Sequence, residues 1–87
     1  MAAVVWFAAR PPAVFIIRIR NGKPQVRKGK VTDALLRFVA EICQEFGLQK
    51  GEIRGVVRGL RISLWFSSNI APAARQRMRN WWALSGF

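Results

Sequence analysis

The sequence predicts an α+β domain of order β-β-α-β-β-α, a four-stranded antiparallel sheet with two helices on one face. Three observations predict it: an Asn21-Gly22 turn inside an alternating apolar stretch, a second alternating pair around Gly59-Leu60, and a segment with helically spaced apolar residues after each.

After Pro11 and Pro12, residues 13–20 alternate, with Phe15, Ile17 and Ile19 on one face and Val14, Ile16, Arg18 and Arg20 on the other. Asn21 and Gly22 suit a type I′ turn, which requires positive φ at both central residues. A two-residue loop sets Arg20 opposite Lys23, Ile19 opposite Pro24, Arg18 opposite Gln25, Ile17 opposite Val26 and Ile16 opposite Arg27. Pro24 has no ladder donor, so the second strand is expected at a sheet edge, where Lys28 and Lys30 around Gly29 discourage further pairing.

Thr32 is the expected N-cap of the first helix, with Val31 stapled to Leu36. Leu35, Phe38, Val39, Ile42, Cys43 and Phe46 form its apolar stripe, and Arg37, Glu41, Gln44 and Glu45 form the opposite face. Gly47 followed by apolar Leu48 is a Schellman ending, so the helix stops at Phe46.

Residues 52–58 and 61–67 make the second hairpin around Gly59-Leu60, whose leading Gly suits a type II′ turn. Its register sets Ile53 opposite Phe66, Gly55 opposite Leu64 and Val57 opposite Ile62 on the inward face. Arg54 with Trp65, Val56 with Ser63, and Arg58 with Arg61 face outward. Residues 72–84 read as the last helix, with Pro72 in its first turn and Gly86 beyond its end. Ala74, Met78, Trp81 and Ser85 make one stripe, while Arg75, Arg79 and Trp82 make another. Strand order, and with it whether the basic residues form one patch or two, stays open.

At 87 residues the chain holds one core: a single basic α+β domain over residues 13–87, preceded by an apolar arm over residues 1–12. A hydrophobic content of 52%, with four Trp and six Phe, excludes a disordered basic tail. The arm is too short to span a bilayer, which takes about 20 apolar residues, and no basic segment precedes it as in a signal peptide. It reads as a short arm, an interfacial anchor or the stub of a membrane segment. The single cysteine, Cys43, excludes an internal disulfide and suits a cytoplasmic setting, with membrane association left open.

Catalysis requires groups that change protonation or bind metal, and a chain with no His, no Tyr and four carboxylates has few. No enzymatic activity, cofactor or metal is expected. Asp33 complements the first-helix dipole. Glu41 and Glu45 are a solvated face with too few oxygens for a cation, and Cys43 is a small core hydrophobe. Gly47, Gly51, Gly55 and Gly59 recur at every fourth position but fit cap, turn and strand places, not a phosphate-binding loop.

The formal charge of +11 instead points to a polyanionic partner. The two registers project Arg18, Arg20, Lys23, Arg27, Arg54, Arg58 and Arg61 to the outer sheet face, with Trp65 beside Arg54. Cations around an aromatic suit RNA or single-stranded DNA, since Arg neutralises phosphate while an indole stacks on a base. The plain alternative is a polar solvent face with an ordinary Arg54–Trp65 cation-π contact. Arg75 and Arg79 on the last helix are further candidates. Attachment to an anionic membrane, through Trp6, Phe7 and Trp82 with the cations at the headgroups, is the competing expectation. Docking on an acidic protein is the third.

The basic strand and turn at residues 18–22, the Lys28-Gly29-Lys30 run and the stretch FSSNIAPAARQRMRNWW over residues 66–82 carry a resemblance. With Phe66, Ser67, Pro72, Gln76, Arg77, Arg79 and Asn80, residues 13–82 resemble a bacterial family labelled domain of unknown function 3634. The resemblance implies the same element order and supplies no activity. Family members with a longer apolar N-terminus look membrane-tethered, whereas this chain has the short run of residues 1–9.

Overall fold

The computed structural model describes residues 12–85. Its elements are β1 (Phe15–Arg20), β2 (Lys23–Lys28), α1 (Asp33–Phe46), β3 (Lys50–Arg58), β4 (Arg61–Phe66) and α2 (Pro72–Leu84), the α+β order expected from the sequence. The arm, with Trp6 and Phe7, and Gly86 lie outside the described residues.

Turn chemistry places both hairpins. Asn21 and Gly22 adopt φ of 52° and 75°, as a type I′ turn requires, and Gly59 adopts φ of 62° at the leading position of the second turn. The β3–β4 register follows the alternation over all six pairs, from Ile53 opposite Phe66 to Arg58 opposite Arg61. In the first hairpin the pairing holds from Arg20–Lys23 to Ile17–Val26. A bulge then sets Lys28, not Arg27, opposite Ile16. The bulge precedes Gly29 (φ 72°), whose missing Cβ lets the chain pass against the Val14 carbonyl and Phe15.

The strand order is β2-β1-β3-β4. The two hairpins therefore join through β1 and β3, and Pro24-bearing β2 takes an edge. Because β2 and β3 are both antiparallel to β1, they run parallel to each other and α1 crosses between them over β1. Thr32 caps α1 by accepting the Leu35 N–H at 3.1 Å. Gly47 (φ 64°) ends it, with Leu48 N–H returning to the Cys43 carbonyl.

Both helices pack on one sheet face. Phe15, Ile17, Ile19, Ile53 and Phe66 meet Leu35, Val39, Ile42 and Cys43 of α1 and Ala74, Met78 and Trp82 of α2. Burying each large side chain stabilises by roughly 1.5–3 kcal/mol. Two glycines make this fit possible: the Phe15 ring fills the space above Gly55, and Ile70 the space above Gly51.

The tryptophans of α2 exchange the roles their spacing suggested. Trp82 is buried, tilted against Phe15 with ring centroids 5.8 Å apart, and its indole N–H donates to the Ile62 carbonyl at 2.7 Å. Trp81 is half-buried, stacked on Phe38 at 4.9 Å between the helices. The stripe 74-78-82 wins because its last ring reaches edge strand β4 and satisfies a carbonyl there, which an outward Trp82 would leave to solvent. Val57 and Val56 also depart from expectation. Pairing of β1 with β3 ends at Phe15–Gly55, so Val57 runs beyond the helices and is exposed, while Val56 is buried on the outer face.

Candidate nucleic-acid interface

The sheet distributes charge unequally between the two sides of the molecule. Its strands carry nine Lys and Arg residues against one acid, Glu52. Three of the chain's four acids, Asp33, Glu41 and Glu45, lie on α1, on the opposite side of the sheet from its outer face. Electrostatic potential on the outer face is therefore positive.

Register and strand order arrange this face in rows. At the Asn21-Gly22 end, Lys23, Arg20 and Lys50 lie side by side across β2, β1 and β3, all exposed. Cβ atoms so paired are about 5 Å apart, and like charges there repel. The next row is Gln25, Arg18 and Glu52. The Glu52 carboxylate accepts from Arg54 Nε at 2.7 Å and lies 3.6 Å from Arg18. Beyond it stand Lys28, Ile16, Arg54 and Trp65, with the Arg54 guanidinium 5.8 Å from the Trp65 ring centre. Val56–Ser63 and the exposed Arg58–Arg61 pair close the far end.

The basic residues thus form two patches separated by a partly neutralised, partly aromatic band. Arg20, Lys23, Arg58 and Arg61 are exposed at the two ends, as is Arg27 on the bulged edge. Arg54 is largely covered and Arg18 half-exposed, and both are tied to Glu52. At about 3.4 Å per residue, Lys50 and Arg58 on β3 are about 27 Å apart.

The α2 arginines belong to a different surface. Arg75 donates from Nε to the Ile70 carbonyl at 2.7 Å and reaches the Ser67 and Ser68 carbonyls, fastening the β4–α2 loop. Arg77 pairs with Glu45 at 2.9 Å, joining α2 to α1. Arg79 lies 5.0 Å from the Phe66 ring, on the helix side. Cys43 is buried in the core and burial pushes its thiol pKa up, which makes it a poor nucleophile.

Sequence reasoning missed Glu52, Lys50 and the Ser67–Asn69 pair. Lys50 falls outside a strand expected to start at residue 52. Glu52 meets Arg18 only through β1–β3 pairing, which no turn encodes. The Ser67 hydroxyl accepts the Glu52 N–H at 2.9 Å and donates to Asn69 Oδ1 at 2.6 Å.

No described helix is long and apolar enough to cross a membrane. No curated protein and no solved structure matches the chain. A family model described as a protein of unknown function, DUF3634, matches residues 1–87, and the chain belongs to that family.

Proposed function

We propose that the domain binds single-stranded nucleic acid, RNA foremost, across the outer sheet face, with phosphates held at its two cationic ends and a base on Trp65 between them. The row Lys23–Arg20–Lys50 carries the reading. Three exposed cations side by side, with no carboxylate bonded to them among the described residues, weaken the sheet by like-charge repulsion. A bound polyanion reverses the sign of that interaction. Trp65, on the same face, supplies the sequence-tolerant stacking that single strands use.

Anisotropy of a labelled heteropolymer RNA, titrated at several salt concentrations after co-purifying nucleic acid is removed, tests this. A log-log slope of about −3 to −5 corresponds to roughly four to seven neutralised phosphates at about 0.7 each. Replacing Arg20, Lys23 and Lys50 by Gln lowers the slope by about 2. Unchanged affinity in that variant overturns the reading.

A second reading, attachment to an anionic membrane, draws on the β3–β4 tip, where fully exposed Leu60 and exposed Val57 stand beside Arg58 and Arg61. Co-sedimentation with anionic vesicles that is lost in Leu60→Asp supports it, and the absence of pelleting removes it.

A further inference from the structure

Beside the Lys23–Arg20–Lys50 row the outer face is not flat. A cleft of about 440 Å³ opens where the ends of β1 and β3 meet the β4–α2 loop, and its walls include Arg18, Arg20, Lys50, Ser67 and Asn69. That volume lies within the range of small-ligand pockets, large enough for a nucleotide unit and well beyond a lone ion.

The chemistry of the walls is one-sided. Asn69 Oδ1 accepts a hydrogen bond from the Ser67 hydroxyl, so the amide retains its NH₂ donors for the cleft. Ser67 is itself spent between the Glu52 N–H and Asn69. The one carboxylate at the wall, Glu52, is engaged by Arg54 and Arg18. With Arg18 paired to Glu52, what remains for an occupant is positive charge and N–H donors from Arg20, Lys50 and Asn69, a set that fits an oxyanion.

Resting on the single-strand reading above, we infer that this cleft holds the terminal phosphomonoester of the strand, so that the domain prefers phosphorylated ends. An internal phosphodiester carries one charge, for which a single Arg suffices. A terminal phosphomonoester carries nearly two at neutral pH and three acceptor oxygens, which matches the two cations Arg20 and Lys50 and an amide. The cleft's position at the end of the face, between the β1–β2 turn and the β4–α2 loop, suits the end of a strand whose remainder runs over Trp65.

The test compares short RNAs of one sequence bearing a 5′-phosphate, a 3′-phosphate or only hydroxyl ends, by anisotropy at fixed salt. One of the phosphorylated forms is expected to bind about tenfold tighter than the hydroxyl form, the worth of one charge-assisted hydrogen bond. The preference fades as pH falls below about 6, where the monoester dianion takes up a proton and drops to a single charge. Lys50→Gln combined with Asn69→Ala brings the forms within about twofold of each other, whereas Lys50→Arg retains the preference. Thermal unfolding of each variant shows that the fold persists. Equal binding of all three RNAs by the wild-type protein overturns end recognition and leaves the sheet-face reading standing. Binding of none overturns both.

Discussion

The two faces of the sheet obey different rules. On the inner face Ile17, Ile19 and Ile53 are sealed under the helices, and even the glycines are dictated by what lies above them. On the outer face, Lys23, Arg20 and Lys50 face one another at one end and Arg58 faces Arg61 at the other. Packing explains the inner residues other than exposed Val57, while repulsion argues against several outer ones. Residues that stability alone disfavours are where a ligand is to be sought.

The largest effect that contrast predicts is on the inner side. Trp82→Ala removes a buried indole and leaves the Ile62 carbonyl without its donor, and is expected to cost about 3–5 kcal/mol in urea unfolding. Trp81→Ala, at a half-buried ring stacked on Phe38, is expected to cost less than half of that. If the two variants are equally destabilised, the assignment of Trp82 to the core is wrong.

Next comes an outer position where stability is expected to depend on a charge. Glu52 is 8% exposed and gathers Arg18 and Arg54. Glu52→Gln leaves the largely covered Arg54 guanidinium without its counter-charge, an expected loss of about 1.5–3 kcal/mol, in keeping with hydrogen bonds to charged groups. Thermal unfolding that matches wild type would show the band to be as dispensable as its ends.

Local chemistry made most of the fold legible. Asn21-Gly22, Thr32 and Gly47 each act through the backbone within a few residues, so turn, cap and helix end can be read directly. The strand alternation then sets the faces. What stayed hidden depends on contacts between distant segments: β1 beside β3, which brings Glu52 to Arg18 and Lys50 to Arg20, and the choice between adjacent tryptophans, which is decided by an edge carbonyl on β4. The α2 arginines illustrate the same limit. Their spacing suggests a phosphate-binding helix, yet Arg75 fastens a loop and Arg77 meets Glu45, uses that only the folded chain defines.

A smaller effect separates the faces by pH. Burial raises the Cys43 thiol pKa above its ordinary value, so the unfolded chain releases that proton first as pH rises. Stability is unaffected below the ordinary thiol range near 8.5 and falls above it, by at most about 1.4 kcal/mol per pH unit until the folded pKa is reached. Cys43→Ala should abolish that decline. The readout is the difference in slope between the two proteins across pH 8–10, since the smaller side chain also lowers stability at every pH.

The smallest effect is the most telling, because its sign differs from all the others. Lys50→Gln removes one member of a cross-strand row of like charges, so the variant should be more stable than wild type at low salt, by about 0.2–1 kcal/mol. The gain should vanish as salt screens the row, since the Debye length shrinks to about 3 Å at 1 M. RNA affinity should fall in the same variant. A protein that becomes more stable and binds less has given up a residue held for its ligand. Should Lys50→Gln instead destabilise the fold at every salt concentration, the row contributes to the sheet like the inner face does. The contrast between the two faces would then no longer locate a binding site.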